Sequence, residues 1–228
     1  MGLLEDQGFE IVPNAVDGRS VASLISSLEQ SSIPRSRAGM RRAMELPEVG
    51  SLASAPTLMH FAQQALGQNA IPFRATLFDK SPDSNWLVVW HQDTALPVRE
   101  KREVPGWGPW SVKEGVICAH APASALEQVL AIRVHLDDSR QDNGPLRVLP
   151  GTHTLGVLSD DSMHGLAEQI AAVECVVPSG AILLMRPLLV HASSKARDHA
   201  RRRVIHIEYA SEIHFPQGLA LQVSNEHQ

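Results

Sequence analysis

The sequence predicts a mainly β protein, an antiparallel body preceded by a layer of helices, and three observations predict it. Up to about residue 70 the apolar side chains recur at helical spacing, and from Ile71 onward the period shortens to two. Seven short runs rich in β-branched and aromatic residues then follow, at 71–80, 86–91, 130–136, 145–149, 181–186, 188–192 and 202–210, punctuated by Pro, Gly, Asn and Asp. No strand–helix–strand rhythm runs through them, so a parallel sheet is not expected.

The elements follow in order. Val21, Leu24, Ile25 and Leu28 fall at i, i+3, i+4 and i+7, with Asp17 placed to cap the first turn, which predicts an amphipathic helix over 18–30 lying against a sheet. A second helix, about 55–66, begins near Pro56, stops at Gly67 and buries Leu58, Phe61, Ala62 and Leu66. Asn143-Gly144 predicts a tight turn between two core strands. Residues 96–115, with Trp107 and Trp110 among Gly106, Gly108, Pro105 and Pro109, read as a long loop without regular structure. Such a loop is a candidate lid that orders over substrate; the alternative is that both indoles plug one end of the barrel.

Composition narrows the function classes. A chain of 228 residues fits one domain and buries roughly 70% of its unfolded surface. No internal repeat or linker divides it, so helices and sheet are expected to form one unit over 1–228, with the helical layer to about 70 and the body over about 71–215. Cys118 and Cys175 are too few for a disulfide framework and point to a reducing compartment. The opening Met1-Gly2-Leu3-Leu4-Glu5-Asp6 has no basic segment followed by an apolar run and no stretch reaches the length that spans a bilayer, so the expectation is a soluble cytoplasmic protein. The formal net charge of −5 gives no drive towards nucleic acid, and the local cluster Arg35, Arg37, Arg41 and Arg42 reads as a solvated loop.

The chemistry concentrates where apolar strands end. Trp86-Leu87-Val88-Val89-Trp90 runs into His91-Gln92-Asp93, and residues i and i+2 of a strand share a face, so an imidazole and a carboxylate converge. A hydrogen-bonded His–Asp pair is one reading and a metal site the other. His191, closing the apolar run Leu188-Leu189-Val190, supplies a third ligand; two imidazoles and a carboxylate suit Fe(II) with three positions left open, and zinc accepts the same set. In 202–209, alternation puts Arg202, Val204, His206 and Glu208 on one face and Arg203, Ile205, Ile207 and Tyr209 on the other. A guanidinium inside a barrel can clamp a dicarboxylate through paired charge-assisted bonds. Parity also places Lys80, Arg133 and His135 towards the same interior, either touching ligand or in structural ion pairs.

Four stretches, Trp90-His91-Gln92-Asp93, the run from Asn143 to His153, His191-Ala192-Ser193 and Arg202, together with the opening Asp6-Gln7-Gly8-Phe9, resemble the phytanoyl-CoA dioxygenase family across nearly the whole chain. The resemblance implies a double-stranded β-helix, or jelly roll, and an Fe(II)- and 2-oxoglutarate-dependent dioxygenase. Carried over residue by residue, it implies His91, Asp93 and His191 as iron ligands and catalytic residues. It also implies Arg202 and Ser193 as holders of the distal carboxylate of 2-oxoglutarate, with Gln92 behind the ligands. The chain is shorter than acyl-CoA-hydroxylating members and shows no basic, adenine-sized site, so the likeness is to small bacterial members acting on free metabolites.

The reading is therefore oxidation of a small organic molecule with O₂ as the partner substrate. Succinate and CO₂ are the co-products. Its rivals are a metal-dependent isomerase or hydrolase on a similar barrel, which would not need Arg202, and a non-catalytic binding protein. A halogenase is disfavoured because Asp93 fills the coordination position that a halide requires.

Overall fold

The structure, a computed structural model, describes residues 2–36, 39–198 and 200–224. Among the described residues six α-helices precede or interrupt the strands: α1 Leu3–Gln7, α2 Gly18–Gln30, α3 Pro47–Ala53, α4 Pro56–Leu66, α5 Ala123–Leu126 and α6 Asp160–Gln169. The strands are β1 Phe9–Val12, β2 Gly39–Met40, β3 Ile71–Lys80, β4 Val88–His91, β5 Ala95–Pro97, β6 Trp110–Lys113, β7 Val116–His120, β8 Val129–His135, β9 Leu146–Val148, β10 Val173–Cys175, β11 Ile182–Met185, β12 His191–Ser193 and β13 Arg202–Ala210. They form a six-stranded sheet in the order β1-β11-β8-β13-β3-β2, a four-stranded sheet β10-β9-β12-β4, and a small sheet β5-β7-β6. Every pairing is antiparallel, as the absence of crossover helices requires. The fold is a jelly roll with helices against its larger sheet.

Each face has its own core. Helix α2 starts where the Asp17 carboxylate accepts hydrogen bonds from Arg19 N and Ser20 N at 2.9 and 3.0 Å, and it buries Val21, Leu24 and Leu28. Helix α4 begins on Pro56 and stops at Gly67, whose φ of 93° no L side chain adopts readily. Both helices cover the outer face of the large sheet, meeting Leu130, Ile132, Ile205 and Ile207; Tyr209 Oη donates to Ala53 O at 2.8 Å and ties α3 to β13. Between the two larger sheets lies a second core, with Leu146, Val148, Leu183 and Met185. The opposite residues of β13, namely Arg202, Val204, His206 and Glu208, pair with Lys80, Phe78, Thr76 and Arg74, and form a row inside the barrel that is polar except at Val204 and Phe78.

Two expectations change. Residues 96–115 are not one irregular loop: β6 and β7 form a hairpin whose turn is Glu114-Gly115, both at positive φ, with β5 alongside. The alternation Trp110-Ser111-Val112-Lys113 carried that hairpin, and an unusual Glu in the left-handed position hid its turn. Trp107 and Trp110 pack on a third core containing Leu96, Val98 and Phe215, with the Trp107 and Phe215 rings 5.0 Å apart, so they close one end of the barrel as its plug. The expected strand 188–192 is shorter, since Leu189 N donates to Arg186 O in a turn and only His191–Ser193 pair. The arginine cluster is solvated as expected: Arg35, Arg41 and Arg42 are exposed, and they make surface ion pairs, Arg35 to Asp79 at 3.0 Å, Arg41 to Glu114 at 3.0 Å and Arg42 to Glu45; Arg37 lies outside the described residues. Among the described residues no helix is long and apolar enough to cross a membrane. Cys118 and Cys175 are both buried free thiols.

Candidate active site

The smaller sheet brings His91 and His191 together. They are direct partners across β4 and β12, while the next pair is Ser193 with Val88, so one extra residue bulges out of β4 between Val88 and His91. The bulge lets Val88 and His91 both face inward, which plain alternation does not give. Beyond the strand end, Asp93 N donates to Pro187 O at 2.9 Å and its carboxylate turns back, with Oδ1 3.6 Å from His91 Nε2 and Oδ2 3.5 Å from His191 Nε2. One ligand atom from each of the three lies within 4.8 Å of the others.

The imidazoles are oriented for this convergence. His91 Nδ1 lies 2.9 Å from Val89 O and His191 Nδ1 2.8 Å from Leu189 O. A carbonyl can only accept, so each Nδ1 carries the proton and each Nε2 presents a lone pair to the shared point. Burial pushes the Asp93 carboxyl up, but the facing imidazoles of His191 and His91 outweigh it and hold the group well below the usual carboxylate range. Burial, only partly offset by Asp93, holds the His191 pKa down at about 4; His91 is raised, because the Asp93 contact outweighs burial there. A carboxylate that stays ionised beside a neutral imidazole is the protonation state that metal binding needs. The donor set therefore fits a divalent ion.

Gln92 points away from this cluster. Its Nε2 donates to Leu188 O and Gly156 O at 2.7 and 2.9 Å, and its Oε1 accepts from Leu158 N at 2.8 Å, so it pins the loops behind the site.

A cavity of about 80 Å³ adjoins the cluster. Phe78, Trp86, Val88 and Leu146 supply apolar walls, and Lys80, Arg133, Arg202 and Ser193 supply polar groups. Arg202, 4% exposed, faces inward with Nε 3.3 Å from Asn143 O, and burial followed by the charge of Arg133 lowers its pKa to about 10. Its neighbours face the other way: Arg201 reaches Asp79 and Glu29, and Arg203 reaches Asp137. Lys80 Nζ donates to Ser193 Oγ at 2.9 Å and Ser194 O at 2.6 Å, and Ser193 Oγ donates onward to Gly144 O at 2.9 Å. Desolvation, then Arg202 and Arg133, press the Lys80 pKa down to about 7. His135 is buried on the same sheet face, bonded through Nδ1 to Ser139.

Parity reached Lys80, Arg133 and Arg202 correctly, whereas His135, expected in the same interior, does not line the cavity. Parity missed two apolar walls, because Val88 faces the cavity only by virtue of the β4 bulge and Trp86 precedes the strand, where parity does not apply. Phe78 was open to it, as the same-face neighbour of Lys80. The Arg74–Glu208 ion pair further along the barrel was also missed, since its two members are 134 positions apart.

The sequence from residue 4 to residue 204 matches the family model for phytanoyl-CoA dioxygenase. The chain belongs to the phytanoyl-CoA dioxygenase family. It is 24% identical over 184 residues to L-proline trans-4-hydroxylase of Streptomyces griseoviridis, covering 69% of this chain and 61% of that one, so it spans less than two thirds of that relative's length. Among solved structures, EctD of S. alaskensis in its apo form superposes with a TM-score of 0.70 at 17% identity, over 98% of this chain and 82% of the other. HygX of Streptomyces hygroscopicus with nickel and 2-oxoglutarate bound gives 0.63 at 16% identity, over 91% and 83%. These likenesses establish the jelly roll for this member of the phytanoyl-CoA dioxygenase family.

Proposed function

We propose that this family member is an Fe(II)- and 2-oxoglutarate-dependent dioxygenase that oxidises a small organic molecule. The observation that carries the reading is the convergence of His91 Nε2, His191 Nε2 and an Asp93 carboxylate oxygen within 4.8 Å, with both Nδ1 protons committed to backbone carbonyls. His91, Asp93 and His191 hold the iron, and the HygX structure solved with 2-oxoglutarate supports the choice of cosubstrate. When bound, iron and 2-oxoglutarate together supply O₂ activation coupled to decarboxylation of the cosubstrate to succinate.

The chain's own part is placement. Arg202 receives the distal carboxylate of 2-oxoglutarate through its guanidinium, and Lys80 and Ser193 line the same end of the cavity. Phe78, Trp86, Val88 and Leu146 exclude water from the space between that anchor and the ligand cluster. The side chains of His91 and Asp93, 34% and 31% exposed, mark the side from which substrate approaches.

The test is direct. Asp93→Ala abolishes tight Fe(II) binding, measured anaerobically, and abolishes succinate formation from 2-oxoglutarate. Wild-type iron affinity in that variant would sink the ligand assignment, and zinc rather than iron as the activating metal would favour a hydrolase or isomerase.

A further inference from the structure

Arg133 enters the cavity from the middle of β8 and is 6% exposed. Among the described residues it makes no ion pair with a carboxylate within bonding distance. Its Nη1 meets His206 Nδ1 at 3.0 Å, and its guanidinium carbon lies 5.3 Å from the centre of the Phe78 ring. Burial and the charge of Arg133 press the His206 pKa down to about 3, so this imidazole is neutral and its Nδ1 accepts. Arg133 Nε is buried without a partner, and so is Nε2 of His135, two residues along the same strand face. Further along the barrel the contrast is plain, because Arg74 is matched by Glu208 in a two-bond pair. A buried cation that lines a cavity with no carboxylate partner of its own calls for an anion from outside the chain.

The charges agree. Lys80, Arg133 and Arg202 face this cavity against Asp93 alone. A divalent ion and a 2-oxoglutarate dianion cancel one another and leave the positive excess in place. The register also separates the two arginines: Arg133 pairs with His206, four residues along β13 from Arg202, or ~13 Å of strand. That separation places the two arginines at different points along the cavity wall.

We propose that Arg133 is a second carboxylate anchor, which holds the carboxylate at the metal end of the cavity as Arg202 holds the one at the far end. This deepens the reading above and rests on it. The carboxylate has two possible sources, the 2-oxo acid end of the cosubstrate or the acid group of a separate small substrate.

Zinc-loaded protein, which cannot turn over, separates them. Two calorimetric titrations are made, 2-oxoglutarate into the zinc form and acetate into the zinc–2-oxoglutarate complex, with wild type, Arg133→Gln and Arg133→Lys. Arg133→Gln is expected to weaken one titration roughly ten- to a hundredfold while zinc affinity stays at the wild-type value. Arg133→Lys, which keeps the charge and loses the fork, is expected to fall between the two. A loss in the first titration assigns the anchor to the cosubstrate, and a loss confined to the second assigns it to a substrate acid. Both titrations unchanged in Arg133→Gln would overturn the anchor and leave the dioxygenase reading standing. Wild-type protein that binds zinc and no 2-oxoglutarate would overturn that reading instead, and acetate binding to the zinc form of each variant would then decide Arg133 alone. Should Arg133→Gln not fold, judged by zinc binding and melting, Arg133→Lys decides: a weakening supports the anchor and wild-type behaviour overturns it.

Discussion

Lys80 is the residue whose charge this pocket leaves most sensitive to its contents. Burial beside Arg202 and Arg133 holds its pKa at about 7, against 10.5 in water. A bound dianion favours the ammonium form and raises that value. The sign follows: below pH 7 the lysine is charged with or without ligand and affinity is at its full value. Between pH 7 and the raised value, binding must take up a proton, and affinity falls by up to about tenfold per pH unit. Titrating 2-oxoglutarate into the metal-loaded protein at pH 8, in buffers of different ionisation enthalpy, reads net proton uptake. Lys80→Met abolishes the uptake, and an uptake of zero in wild type would contradict the assignment. The same geometry moderates Ser193. Its hydroxyl proton is already committed to Gly144 O, so Ser193→Ala costs 2-oxoglutarate binding no more than about 1 kcal/mol, measured by the same titration.

At the scale of elements, Gly144, directly after the turn that Asn143 N closes onto Arg140 O, sets how closely the chain between β12 and β13 approaches the cavity. Gly144 has φ 66°, and a Cβ there would lie 2.4 Å from Ser194 O and 3.1 Å from Lys80 Nζ. Gly144→Ala therefore destabilises by roughly 1–3 kcal/mol in chemical denaturation. It also weakens 2-oxoglutarate binding, through Lys80. The Asn-Gly pair pointed to this stretch, but the turn centres just before it, on Gln141-Asp142, and the Glu114-Gly115 hairpin and the β4 bulge went unread. Local pattern reports period and turn type, but a bulge is decided by what the partner strand needs. Here it needs His91 opposite His191 and Val88 opposite Ser193. The revised hairpin moves the expected protease site. Trypsin should cut first at Lys101 or Arg102, in the segment between β5 and β6, and leave the hairpin intact; cleavage at Lys113 at the same rate would contradict that placement.

For the whole molecule, the helical layer and the site are separable. Leu28, fully buried between α2 and the large sheet, stands on the face opposite the cavity. Leu28→Ala should cost about 2–5 kcal/mol of stability and leave metal affinity within experimental error of wild type. Helical spacing made that layer legible, and strand parity on β13 made the interior row legible. What could not be read was pairing between distant strands, such as Arg74 with Glu208, because sequence order says nothing of sheet order. The central claim is that one arginine of three faces the cavity and anchors 2-oxoglutarate. Its most direct test is anaerobic titration of the cosubstrate into metal-loaded Arg201→Ala, Arg202→Ala and Arg203→Ala. The account predicts a loss of about 3–5 kcal/mol in Arg202→Ala alone, roughly a few hundred- to a few thousandfold, with iron binding retained in all three. Near-wild-type affinity in Arg202→Ala, or the severe loss in Arg201→Ala or Arg203→Ala, would contradict it.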